Sequence, residues 1–186
     1  MDVTIKQLTN NSDQIKEVQE FLFKMIKKEF GYGYIPKWHQ DIMKMDEYYI
    51  NPKRNNFFVA HLDDGEIIAT IGIRAYDKDF PMFRHLYSNS TTSSIWRLFV
   101  DERYRRCGLA SKMFCIVENF SNEMGYDSIY LHTHKILDGA LKFWIKMGFV
   151  VVFDAHDELE TVHMDKEIQK LNISNVPNDF GYAVKL

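Results

Sequence analysis

Residues 94–124 constrain this chain's fold more than any other stretch. A run of β-favouring residues, SIWRLFV (94–100), enters a short basic turn. A helical pattern follows over about 106–124, with Leu109, Met113, Ile116, Val117, Phe120 and Met124 on one face, and Gly125 stops it. A strand that feeds a long amphipathic helix needs a sheet for that helix to lie on. The chain is therefore read as a layered α/β structure.

The remaining pattern agrees. Residues 3–8 alternate as a strand. Residues 12–30 read as a helix capped by Ser12, with Ile15, Val18, Leu22, Met25 and Ile26 inward. Gly31, Gly33 and Pro36 break it, and a second helix is expected over 38–49, with Ile42, Met45 and Tyr49 inward. Strands at 57–62 and 66–76 flank Asp63-Asp64-Gly65, a hairpin signal. A strand at 128–134, a helix at 138–147 with Asp138 as N-cap, and strands at 149–154 and 161–167 complete the order β-α-α-β-β-β-α-β-α-β-β. The structure of the tail stays open.

Composition narrows the function classes. With 186 residues, 46% hydrophobic and net charge −3, the chain can bury a core and is not a disordered segment. The near-neutral balance speaks against nucleic-acid binding. No apolar run approaches the roughly 18 residues of a membrane span, and MDVTIKQLTNNSD does not resemble a signal peptide. Cys107 and Cys115 stand about 12 Å apart along the predicted helix, too far for a disulfide. The expectation is a reduced, cytoplasmic protein away from membranes.

The junction Leu98–Ser111 carries the chemistry. The first N–H groups of a helix lack intrahelical partners and sit at the positive end of its dipole. Gly108 lets a ligand approach the backbone, Ala110 keeps the next contact small, and Arg103, Arg105 and Arg106 add charge. Such an end suits a phosphate or pyrophosphate. An ordinary strand–helix turn with solvated arginines has the same composition. The glycine fingerprint of dinucleotide folds and the P-loop lysine are both absent.

The same residues resemble a known family. Arg105-Arg-Cys-Gly108-Leu-Ala110 is similar to the Arg/Gln-x-x-Gly-x-Gly/Ala signature of the GNAT superfamily of acetyl-CoA-dependent N-acetyltransferases. Ala140-Leu-Lys-Phe143-Trp144-Ile-Lys-Met-Gly148-Phe149 resembles its Ala-x-x-Phe-Tyr-x-x-x-Gly-Phe segment, and Val162-His-Met164-Asp-Lys its last strand. The resemblance covers roughly residues 1–168, taken as one acetyltransferase domain, with 169–186 as a tail. It implies a mixed, mostly antiparallel sheet of six to seven strands, about four helices, and splayed fourth and fifth strands.

It also implies a site. Acetyl-CoA, as cosubstrate, would lay its pantetheine arm along Leu98, Phe99 and Val100. An N–H near Phe99 or Val100 would hold the acetyl carbonyl. The pyrophosphate would rest on Arg105, Arg106, Cys107, Gly108, Leu109, Ala110 and Ser111, with Arg103 or Lys112 for the outer phosphate. The chain departs from the family at Cys107, where a lysine is frequent, and at Leu137, where many members carry Asn. It departs again at Trp144, where many carry the Tyr that protonates the leaving thiolate. An indole is no proton source, so Trp144 is assigned to packing beside the cofactor arm.

His132 and His134 share one face of their strand and are the candidate catalytic bases; a water-relayed proton is the alternative. Tyr32, Tyr34, Trp38, His39, Asp46, Glu47, Tyr48 and Tyr49 are expected near the acceptor, an amine drawn to aromatic faces and carboxylates. No metal is implied, and a monomer or homodimer is expected. Beside the transferase stand two other readings: a non-catalytic acyl-CoA-binding module, and a nucleotide-binding domain using the same helix end.

Overall fold

The computed structural model describes residues 2–137, 139–169 and, for the backbone alone, 181–185. The strands are β1 (Asp2–Gln7), β2 (Asn56–Leu62), β3 (Ile67–Ala75), β4 (Thr92–Val100), β5 (Ser128–His134), β6 (Val150–Asp154), β7 (Thr161–Glu167) and β8 (Gly181–Lys185). The helices are α1 (Ser12–Phe30), α2 (Gln40–Met43), α3 (Leu109–Glu123) and α4 (Ala140–Lys146). The ladders β1–β2, β1–β8, β2–β3, β5–β7 and β6–β7 are antiparallel, and β4–β5 is parallel. This is the expected mixed, mostly antiparallel architecture. The strand beyond the expected six to seven is β8, from the tail left open by sequence.

The chain forms two compact units. One comprises the chain up to Arg74, Trp96–Val117 and the C-terminal strand; the other comprises Ala75–Ile95 and the described residues from Glu118 to Gln169. In the first, the strand order is β4-β3-β2-β1-β8. Its core is Leu8, Val18, Leu22, Ile26, Ile42, Met45, Tyr49, Phe57 and Val59, which joins α1 and the segment after α2 to β2. The inward stripe of α1 is the one its 3.6-residue period gives. Its cap is Asn11 rather than Ser12: the Asn11 side chain accepts from Asp13 N and Gln14 N.

The segment expected as one helix over 38–49 breaks up. α2 spans Gln40–Met43, and a wide π turn follows over Asp46–Ile50. The wide turn lays Tyr49 on β3, where only glycine fits. A Cβ on Gly72 would stand 2.7 Å from Tyr49 Cε1.

In the second unit the order is β6-β7-β5-β4. A buried group of Tyr76, Phe83, Tyr87 and Tyr130 packs with Phe80. Thr92 and Ser93 anchor the start of β4 to Ser128 and Ser121 through hydroxyl contacts of 3.0 and 3.1 Å. α4 begins after Gly139, which has φ +75°; the expected cap, Asp138, lies outside the described residues. Among the described residues no helix is long and apolar enough to cross a membrane.

Candidate active site

The β4–β5 ladder is short. It pairs Thr92 with Ser128, Ser93 with Ile129 and Ser94 with Tyr130, and stops there. β5 continues to His134, paired with β7 on its other side through His134↔Thr161. β4 also continues, half-buried, from Trp96 to Val100.

Within the first unit, β4 is reshaped at Arg97, which has φ +51°. A non-glycine residue in the left-handed region costs about 1–3 kcal/mol and persists only where its surroundings hold it. Two contacts hold this one. Thr70 Oγ1 donates to the Arg97 carbonyl at 2.9 Å. The Arg97 guanidinium forks onto Asp41, Nε to Oδ2 at 2.9 Å and Nη2 to Oδ1 at 2.6 Å. Nη2 also donates to the Trp38 carbonyl at 2.6 Å, and Tyr49 Oη donates to Asp41 Oδ2 at 2.7 Å. Burial alone would raise the Asp41 pKa; the Arg97 bonds and charge outweigh it and hold the carboxyl below its ordinary range.

After Val100 the chain turns into α3. Asp101 N donates to Ile68 O at 2.9 Å, and Asp101 Oδ1 accepts from Arg103 N. The Arg103 side chain grips Asp101 and reaches Glu66 at 2.5 Å. Hydrogen bonds from Arg103 hold the Asp101 carboxyl down at about 2. Arg105 Nε donates to Val100 O at 3.0 Å, and its Nη2 pairs with Glu29. Arg103 and Arg105 thus fasten the turn to the scaffold. Among the described residues the exposed Arg106 side chain has no protein partner.

The backbone of this turn alternates in hand. Arg106 has φ +62° and Gly108 φ +85°, with Cys107 between them outside the left-handed region. Such alternation curves successive N–H groups around a concavity that suits an anion. Among the described residues, no backbone N–H from Arg106 to Ser111 meets a protein acceptor. The first bond of the helix is Lys112 N to Gly108 O, at 3.1 Å. A Cβ on Gly108 would meet nothing within 4 Å, so the space over it is open.

A family model for the acetyltransferase (GNAT) family matches residues 20–149. The chain belongs to the GNAT acetyltransferase family. This GNAT chain is 28% identical over 111 residues to the N-acetylaspartate synthetase of Rattus norvegicus, covering 60% of the chain and 33% of that protein. It is 28% identical to N-acetyltransferase 8 of the same organism, over 60% of the chain and 46% of that protein. It is 31% identical over 104 residues to the probable N-acetyltransferase san of Drosophila melanogaster, over 53% of the chain and 54% of that protein. The chain thus spans a third to about half the length of these relatives. Among solved structures, a GNAT acetyltransferase from Staphylococcus aureus Mu50 aligns with TM-score 0.71 and 21% identity, over 89% of this chain and 99% of that one. The PaiA N-acetyltransferase of Thermoplasma acidophilum, in complex with coenzyme A, aligns with TM-score 0.64 and 16% identity, over 90% and 99%. These structural likenesses show the fold.

The first unit of the GNAT chain brings together Leu98, Phe99 and Val100 with Arg105 to Ser111. The other candidates lie in the second unit. Trp144 is buried, with ring centroids 4.9 Å from Phe143 and 5.2 Å from Phe149. His132 and His134 lie half-buried on one face of β5, 5.9 Å apart by ring centroids. His134 Nδ1 is 3.1 Å from Thr161 Oγ1, and burial lowers its pKa. His163, not singled out by sequence, faces His132 across the β5–β7 ladder, and its Nδ1 is 2.6 Å from Tyr130 Oη. Asp41 and Arg97 were also missed. An arginine inside SIWRLFV was the available signal, because a charge in a half-buried strand needs a partner.

Proposed function

We propose that the protein transfers the acetyl group of acetyl-CoA to an amine by direct attack in a ternary complex. One observation carries this reading: among the described residues, the unbroken row of unpartnered N–H groups from Arg106 to Ser111, in the turn that leads from β4 into α3. Those groups fit a pyrophosphate, and Arg106 is the cation placed to join them. The backbone of Leu98, Phe99 and Val100 pairs with the pantetheine arm, and an N–H at Phe99 or Val100 stabilises the oxyanion that forms as the amine attacks. Collapse of that adduct expels the CoA thiolate. Family membership and the names of the relatives support the amine as acceptor. The coenzyme A bound in the PaiA enzyme supports the cosubstrate.

The amine must shed a proton before it attacks. Burial lowers the His134 pKa, which favours its neutral form, and His132 lies beside it; a water relay is the route that needs neither. Trp144 packs and gives no proton, so the thiolate leaves without an acid at that position.

Release of CoA thiol from acetyl-CoA, measured with and without a panel of amines, tests the proposal. Amine-dependent release, with one acetylated amine per thiol, is the expected result. Tight CoA binding without amine-dependent release would instead favour a non-catalytic acyl-CoA-binding module. ATP or NAD binding in place of CoA would favour a nucleotide-binding domain.

A further inference from the structure

The aromatic region expected at the acceptor contains a committed carboxylate and a partly committed arginine. Asp41 is the buried acid there, and both its oxygens are taken: Oδ1 by Arg97, Oδ2 by Arg97 and Tyr49. Three of its roughly four acceptor positions are used, and its charge is matched by the Arg97 guanidinium. Arg97 is different. A guanidinium has five N–H donors, and the bonds described use the one on Nε and the pair on Nη2. The two on Nη1 meet no protein acceptor among the described residues.

The Arg97 side chain is only 15% accessible, so a charge held there is largely desolvated. The Tyr32 hydroxyl, in the ring group with Trp38 and His39, likewise has no hydrogen-bond partner among the described residues. Neither group is sealed from solvent. At His39, burial lowers the pKa, and Arg97 lowers it further by more than Asp41 raises it. Along β4, Arg97 stands two residues before Phe99, about 7 Å.

We propose that the acceptor is an amine that also carries a carboxylate, received by the Nη1 edge of Arg97 beside the Tyr32 hydroxyl. Asp41 then works as a positioning residue. It fixes the fork so that Nη1 faces outward, and it removes the acidic site that would draw a simple cationic amine. A guanidinium suits a carboxylate in direction as well as charge. This inference rests on the transferase reading, and its test separates the two.

The full-length protein is saturated with CoA and titrated by calorimetry with N-acetylglycine, N-acetylglutamate and N-acetylphenylalanine, and with the carboxamide of each. Turnover of the matching free amino acids and amino amides is measured in parallel. At least one carboxylate of the panel should bind tenfold or more tighter than its amide, and its amino acid should be acetylated with the higher kcat/KM. Equal or tighter binding of all the amides would overturn the proposal whether or not turnover occurs. Carboxylate-selective binding without turnover on any amine would keep the anion site and overturn the transferase reading. In the double variant Asp41→Asn/Arg97→Gln the carboxylate preference should fall at least tenfold. Should that variant fail to fold, Tyr32→Phe, which removes only the hydroxyl, should weaken the carboxylate and not the amide. An unchanged preference in the folded variant would count against Arg97.

Discussion

Arg97 and Asp41, 56 residues apart in sequence, form a two-bond fork that pins α2 to a left-handed residue of β4. Removing one member of such a buried pair strands the other's charge. Asp41→Asn should therefore destabilise the protein by about 3–5 kcal/mol. The double variant Asp41→Asn/Arg97→Gln should recover part of that loss. Denaturant midpoints of the single and double variants check this; a single variant as stable as the parent would mean the pair bears no load.

Gly72 carries the other half of that arrangement. A methyl group there would press on Tyr49 Cε1 at 2.7 Å, and Tyr49 Oη donates to Asp41. Gly72→Ala should cost about 1–3 kcal/mol. A thermal midpoint within a degree of the parent would show that the ring moves aside freely.

Two histidines of the β5–β7 ladder set an acid limit. Burial is the leading cause that lowers the pKa of both His134 and His163 below the ordinary 6.5. The unfolded chain therefore takes up protons first as pH falls past 6.5. Stability from these groups is full above that value and is lost below it, down to their lowered folded values. The thermal midpoint should drop between pH 7.5 and 5.5, and His163→Gln should flatten the drop. A midpoint independent of pH over this range would contradict the assignment.

Much of this molecule is legible in its sequence, and what is not has a common physical cause. The inward stripe of α1, the run of β4 and the Gly108 turn follow from local periodicity and backbone preference. The charges of the basic turn could be read, but not their partners. Arg103 and Arg105 are spent on Glu66 and Glu29, residues brought in by folding, while the exposed Arg106 side chain meets no protein partner among the described residues. The left-handed backbone at Arg97 is equally invisible, since Asp41 and Thr70 impose it from distant parts of the chain. Asn11 displaced Ser12 as the helix cap because its carbonyl reaches two N–H groups of the first turn.

The proton's route can be followed in two variants. A true general base contributes about 10²–10⁴-fold. His132→Asn and His134→Asn should each stay within about tenfold of the parent kcat/KM, since water can carry the proton. A hundredfold loss in either at neutral pH, shrinking as the pH rises and with CoA binding intact, would make that histidine the base.

Trp144 separates packing from acid catalysis. Buried between Phe143 and Phe149, it should tolerate Phe with most activity kept, whereas Trp144→Ala should lose about 3–5 kcal/mol of stability. A large gain in turnover from Trp144→Tyr would show that a proton donor had been limiting.

We propose that the turn from Arg105 to Ser111 holds the cosubstrate, and calorimetric titration of CoA into the parent and Gly108→Val reads this out. Gly108 faces open space, so the valine side chain would occupy the approach to the free N–H groups, and its φ of +85° adds local strain. CoA affinity should fall at least tenfold, about 1.4 kcal/mol, in a variant whose circular dichroism matches the parent. Equal CoA affinity in the two folded proteins would place the cofactor away from this turn.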